Sequence, residues 1–199
     1  MNGFHRFGLL APVAAISLSS CGVNSVPTAE EQVNAAWGNL QSEYQRRAEL
    51  IPNLVATVKG YAQQEKSVLV EVTEARAKAS SIQLNASDLS DPAKVQAFAN
   101  AQGQLGGSLG RLLATIEAYP DLKSNANFLT LQSQLEGTEN SILVARRDYN
   151  EAVRSYNVRI RTFPDAIGAK IFYGAKPKVP FEASAAAQAA PKVDFNTAG

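Results

Sequence analysis

The chain has 199 residues, 45% hydrophobic and 19% charged, which is enough for one folded domain with a core of its own. Nineteen Lys and Arg against eighteen Asp and Glu leave a net charge of +1, which argues against nucleic-acid binding through bulk charge. One Cys excludes a disulfide framework or multi-cysteine zinc site, and one His at position 5 excludes a His-based metal site or a Ser-His-Asp triad in a processed chain.

Arg6 precedes a 10-residue apolar run, Leu9 to Leu18. Spanning a bilayer takes about 20 apolar residues, so this run reads as a secretory signal peptide. It ends in Leu18-Ser19-Ser20-Cys21, which resembles a bacterial lipobox. Small residues admit the backbone to the signal peptidase, and the Cys thiol takes the diacylglycerol. The expectation is cleavage between Ser20 and Cys21, with Cys21 acylated by fatty acids such as palmitate. An Asp after the Cys favours inner-membrane retention in Gram-negative bacteria; Gly22 leaves export to the outer membrane open. Residues 21–27 then form a lipidated tether.

Thr28 and Glu31 fit a helix-capping pair. Apolar or small residues follow at 33, 37, 40, 44, 48, 51, 55, 58 and 62 and resume from 69 to 82, the three-and-four spacing of a helix with coiled-coil character. Pro52 removes a backbone N–H and crowds the carbonyl four residues back, so a kink is expected near Ala48 to Pro52; Gly60 is a second soft point. Asp91-Pro92 reads as the cap and first residue of a second helix ending at Tyr119-Pro120. A third begins between Asp121 and Ser124, carries Phe128, Leu131, Leu135, Thr138, Ile142, Tyr149 and Tyr156 on its seam, and stops at Phe163-Pro164. Asp165 to Tyr173 supplies a short fourth helix.

The fold expected is all-α: an antiparallel up-and-down bundle of three long helices, the first kinked near Pro52, plus a short fourth helix. The domain plan is a lipoprotein signal peptide at 1–20, the tether at 21–27, the helical bundle at 28–174, and a mobile Pro- and Ala-rich tail at 175–199 that cannot bury much.

The motifs offer little chemistry. Gly103 to Gly110 holds four glycines, but lacks the Lys and the preceding strand of a phosphate loop, and reads as a helix with small residues for close packing. Glu65, Glu117 and Glu139 have no spacing that joins them into an acid–base pair. No catalytic residue, metal site or cofactor is expected. Eight basic residues between Arg146 and Lys178 face three acidic ones; they read as partners for the more acidic first helix, or as a surface for phospholipid head groups. Tyr149-Asn150 and Tyr156-Asn157 repeat after seven residues, so both pairs lie on one seam, as polar anchors of helix register or as the lining of a ligand groove. Arg47, Glu117, Glu139 and Arg146 fall beside the apolar seam and are expected to join Asn150 in a partly buried polar network.

Several of these segments together resemble the LemA family: Arg46-Arg47-Ala48-Glu49-Leu50-Ile51-Pro52-Asn53-Leu54-Val55 with Lys59-Gly60-Tyr61-Ala62, then Glu117-Ala118-Tyr119-Pro120-Asp121-Leu122-Lys123, Thr138-Glu139-Asn140, Arg146-Arg147 and Phe163-Pro164. The family pattern has His before the glutamate that follows Tyr-Ala; here Gln64 precedes Glu65, which argues against a metal or acid–base role there. Many members hold an N-terminal transmembrane helix where this chain has a lipobox. The resemblance implies a membrane-anchored helical bundle facing out of the cytoplasm, and implies no reaction. The function expected is a non-catalytic scaffold or interaction protein of the cell envelope, anchored at the cell membrane or outer membrane through acylated Cys21, with a protein partner and no nucleic acid. The alternative is a helical module that binds a peptide or small ligand at the membrane surface.

Overall fold

A computed structural model describes residues 24–182. Every regular element among them is helical: α1 (Ser25–Tyr61), α2 (Lys66–Ser81), a 3-10 turn (Asp88–Ser90), α3 (Pro92–Ile116), α4 (Pro120–Lys123), α5 (Ala126–Arg159) and α6 (Asp165–Ile171). Signal, cleavage and lipidation positions, including Ser20 and Cys21, lie outside the described residues.

The first helix starts earlier than the capping pair suggests. Asn24 precedes it, and the Thr28 hydroxyl donates to the Asn24 carbonyl from inside the first turns. Pro27 is no obstacle, because the first N–H groups of a helix have no intrahelical acceptor to lose. Val26 and Ala29 are buried, so residues 25–27 belong to the bundle and not to the tether.

The expected first long helix is two helices. α1 runs through Pro52 and ends at Tyr61, and the chain turns at residues 62–65, beside Gly60. The proline is tolerated because the carbonyl it deprives of a donor, that of Ala48, accepts instead from Arg76 Nε of α2 at 2.7 Å. Four helices of sixteen residues or more therefore replace the expected three. α1 and α5 run antiparallel: Arg159 donates to the Ser25 carbonyl, Arg47 meets Glu139, and Asn125 meets Tyr61. α2 and α3 do likewise, with Lys78 on Gln104 and Glu71 ion-paired to Arg111. Two helix starts follow the local code: the Asp91 carboxylate accepts from the N–H groups of Ala93 and Lys94, and the Asn125 side chain accepts from Phe128 N–H.

The core has two parts. Around the α1–α2 turn it is mainly aliphatic, with Ile51, Leu54, Val58, Leu105, Leu112 and Leu135. Around the start of α1 and the end of α5 it is aromatic: Trp37 lies 5.3 Å from Phe98, 5.6 Å from Tyr149 and 5.9 Å from Phe181, ring centroid to ring centroid. The seam residues Leu40, Ile51, Val58, Leu112, Ile116, Leu135, Ile142 and Tyr149 are buried, and Leu131 is half-buried.

Candidate functional site

Arg47 projects from α1 into the space between α3 and α5 and is 3% exposed. Its guanidinium donates to Glu139 Oε1 of α5 at 2.9 Å and to the Gln102 side chain of α3 at 2.6 Å. A buried guanidinium is stable only when paired, and these two contacts tie three helices at one level. Nε has no acceptor, and the Tyr44 ring lies 5.2 Å below the charge. Burial holds the Tyr44 phenol above its ordinary range. Arg146 lies across the Phe181 ring at 5.6 Å. A cleft of about 330 Å³ is lined by Arg47, Gln102, Glu139, Arg146 and Phe181.

Of the expected network, Arg47, Glu139 and Arg146 share this cleft. Glu117 does not; it pairs with Lys123 on the exposed surface near α4. Its position beside the seam does not bury it, because α3 ends there and the side chain turns out to solvent.

The Tyr-Asn repeat grips the chain's own C-terminal segment. Asn157 Nδ2 donates to the Lys178 carbonyl at 2.8 Å and Lys178 N–H donates to Asn157 Oδ1 at 2.9 Å. Asn150 makes the same pair with Phe181, at 2.9 and 2.8 Å. Between them the Tyr149 hydroxyl donates to the Val179 carbonyl at 3.0 Å. Seven helical residues advance about 10.5 Å and three residues of extended chain about 10 Å, so one Asn per heptad meets the main chain at every third residue.

This corrects the expectation of a mobile tail over its first part. Residues 178–181 are docked: Phe181 is buried in the aromatic core, and Lys178, 6% exposed, bonds to Glu30 of α1 and the Ala86 carbonyl, each at 3.0 Å. The low apolar content there hid a single Phe placed where the core has room for one ring. The rest of the tail, from residue 183, lies outside the described residues. Lys178 is one of the basic residues read as partners of the first helix, and it pairs with Glu30 there; Phe181, Gln102 and Arg76 carry no such signal, apart from an isolated Lys-Val-Pro-Phe ahead of an Ala-rich stretch.

Each of the three carboxylates has a partner of its own. Glu65 accepts from the Tyr119 hydroxyl at 2.7 Å, Glu117 pairs with Lys123, and Glu139 with Arg47. The glycines of α3 are helical, but an added Cβ at Gly103 or Gly110 would meet nothing within 4 Å, so close packing does not explain them; Gly106 does face Arg47. Among the described residues there is no group of three or more His, Cys, Asp or Glu able to hold a metal ion, and no helix long and apolar enough to cross a membrane.

The model of the LemA family matches residues 36–195. The chain belongs to the LemA family. It is similar to two magnetosome proteins MamQ of Paramagnetospirillum magneticum, at 28% identity over 78% of this chain and 63% of each relative. It is also similar to protein LemA of Metamycoplasma hominis, at 26% identity over 70% of this chain and 60% of that relative. The chain thus spans about three fifths of the length of these relatives. The family match takes in both parts of the site: Arg47, Gln102, Glu139 and Arg146 on one side, and Asn150, Asn157 and the docked segment on the other.

Proposed function

We propose that this LemA-family chain is a lipid-anchored, all-α protein of the cell envelope with a non-catalytic scaffold role, held at the cell membrane or outer membrane through acylated Cys21 with its bundle outside the cytoplasm. One observation carries the reading: the polar residues that stand out in the sequence are consumed by internal structure. Arg47 binds Glu139 and Gln102, and Asn150 and Asn157 bind the chain's own backbone. Such pairs occupy these side chains within the fold, where they set helix register. Family membership, with magnetosome proteins among the relatives, supports membrane association. The partner is an envelope protein. Affinity capture of the acylated protein from native membranes, followed by mass spectrometry, tests this: recovery of the same envelope proteins in repeated captures is expected, and recovery of none would sink the scaffold reading. A turnover abolished by substituting Glu65, Glu117 or Glu139 would overturn the non-catalytic part.

The second reading, a peptide-binding module, is favoured by the Asn150 and Asn157 pairs, which recognise main chain rather than side chain. A free peptide of residues 175–182 that binds a variant carrying Phe181→Ala, but not the native chain, would support it.

A further inference from the structure

We propose that the α6 end of the bundle is a lipid-facing surface that rests on an anionic bilayer, with Phe163, Ile167, Ile171 and Phe172 in the interfacial region and Arg161, Lys170 and Lys176 on lipid phosphates. The inference rests on the reading that the chain is held at Cys21.

Eleven large hydrophobic side chains are exposed among the described residues, and six of them fall between Val158 and Tyr173. Elsewhere they are scattered, as on any soluble surface. Here Phe163 is 83% exposed, Ile171 69% and Phe172 67%. α6 buries Gly168 and Ala169 against the core that also holds Val26 and Ala29. Its opposite side, where Ile167, Lys170 and Ile171 share one stripe by helical spacing, is turned outward. An exposed apolar patch of this kind marks an interaction surface.

Charge and position choose the occupant. Between residues 158 and 176 there are four basic residues and one acidic residue, Asp165, which faces Arg159 at 3.9 Å. Arg161, Lys170 and Lys176 have no carboxylate within ion-pair distance among the described residues. Apolar side chains interleaved with unmatched cations suit the head-group boundary of an anionic bilayer. The patch also lies where a bilayer would be: Arg159 Nη1 donates to the Ser25 carbonyl at 3.5 Å, and Cys21 is four residues before Ser25, at most about 14 Å of chain. An anchor at Cys21 brings the start of α1 to the head groups and α6 with it. The α1–α2 turn is at the far end of a 37-residue helix, about 55 Å away.

Trp37 is the sole tryptophan and is buried, so one added tryptophan reports its own surroundings. The full chain, extracted from envelopes of expressing cells as native sequence, Ile171→Trp or Gln63→Trp, is reconstituted in phosphatidylglycerol vesicles whose acyl chains carry bromine. Ile171→Trp is expected to lose about half of the emission gained over the native chain, since interfacial faces bury to about 5–10 Å; Gln63→Trp, at the far turn, loses none. Equal behaviour of the two variants overturns the proposal. So does Ile171→Trp emission that is not quenched but shifts to the blue as protein density rises, which would assign the face to a second copy. Phosphatidylcholine vesicles are expected to quench less, and undiminished quenching there overturns the anionic part. Intact mass reads acylation at Cys21 separately: an acylated chain with unquenched Ile171→Trp loses the surface and keeps the anchor, and an unacylated chain with quenched Ile171→Trp does the reverse.

Discussion

Arg76 Nε lies 2.7 Å from the carbonyl oxygen of Ala48, the acceptor that Pro52 leaves without its intrahelical donor. α1 can therefore carry a proline in its interior, and α2 is tied to the level of α1 where that proline sits. Arg76→Met is expected to cost about 1–3 kcal/mol, the range for an acceptor left unpaired. In a Pro52→Ala background the restored N–H competes for Ala48, and the cost should fall by at least about 0.5 kcal/mol. Urea unfolding of the four chains measures the cycle; equal costs in both backgrounds would show that Arg76 does not serve the proline.

Asn150 and Phe181 exchange two hydrogen bonds, and Phe181 stacks on Trp37. Asn150→Ala removes both bonds at once, with an expected loss of about 1–3 kcal/mol. The loss is local, since the released segment can hydrate while α1 and α5 stay paired. Amide exchange at 178–181 should accelerate, and Trp37 emission should move to the red as the ring loses its cover. Unchanged exchange at these amides would contradict the docking.

Arg47 is buried while Glu139 is 45% exposed, so the two halves of the pair should differ in mutational cost. Glu139→Ala leaves a buried cation without its counter-charge, at about 1–3 kcal/mol after allowing for the exposed partner. Arg47→Met replaces the cation with apolar volume and frees Glu139 to hydrate, and should cost less. Thermal melts of both variants decide it; the reverse order would mean that Arg47 contributes more through Gln102 than through Glu139.

Burial pushes the Tyr149 hydroxyl well above the ordinary tyrosine value of 10.0, and burial together with Glu30 pushes Tyr156 up to about 12. Both raised values favour the neutral, folded form. Their contribution is complete below pH 10.0, where the unfolded tyrosines are still neutral, and declines above it; that of Tyr156 is gone by about pH 12. Ionising Tyr149 also removes the donor to Val179. An alkaline titration followed by tyrosinate absorbance should show both groups titrating late, together with release of the docked segment. Tyr149→Phe should remove the Tyr149 share of the alkaline loss.

Cys21→Ser should abolish acylation and leave either an uncleaved precursor or an exported form without lipid, while the bundle stays folded. One acyl chain gives only reversible attachment, and two or three hold effectively permanently at about 0.8 kcal/mol per buried CH₂. Fatty-acid labelling and membrane fractionation read this. Label on the Cys21→Ser protein, or native protein washed from membranes by salt, would count against the lipobox.

The helices, and most of their ends, are written locally. Three-and-four spacing places Leu40, Ile51, Leu112, Leu135 and Ile142 inward, and Asp91 and Asn125 cap their helices through contacts two or three residues away. What the sequence did not decide depends on partners far along the chain. Pro52 signals a kink by itself, and only Arg76, 28 residues from Ala48, supplies the donor that the proline takes from that carbonyl. Likewise, the Tyr-Asn repeat announces polar groups on a seam without saying what they hold. Their partners lie 21 to 31 residues on, in a segment whose composition reads as a tail. A hydrogen bond between two backbone groups and an Asn amide leaves no periodicity in the sequence, because any residue supplies the backbone. Only the packed α1–α5 surface, with a vacancy for the Phe181 ring, selects that segment as its occupant.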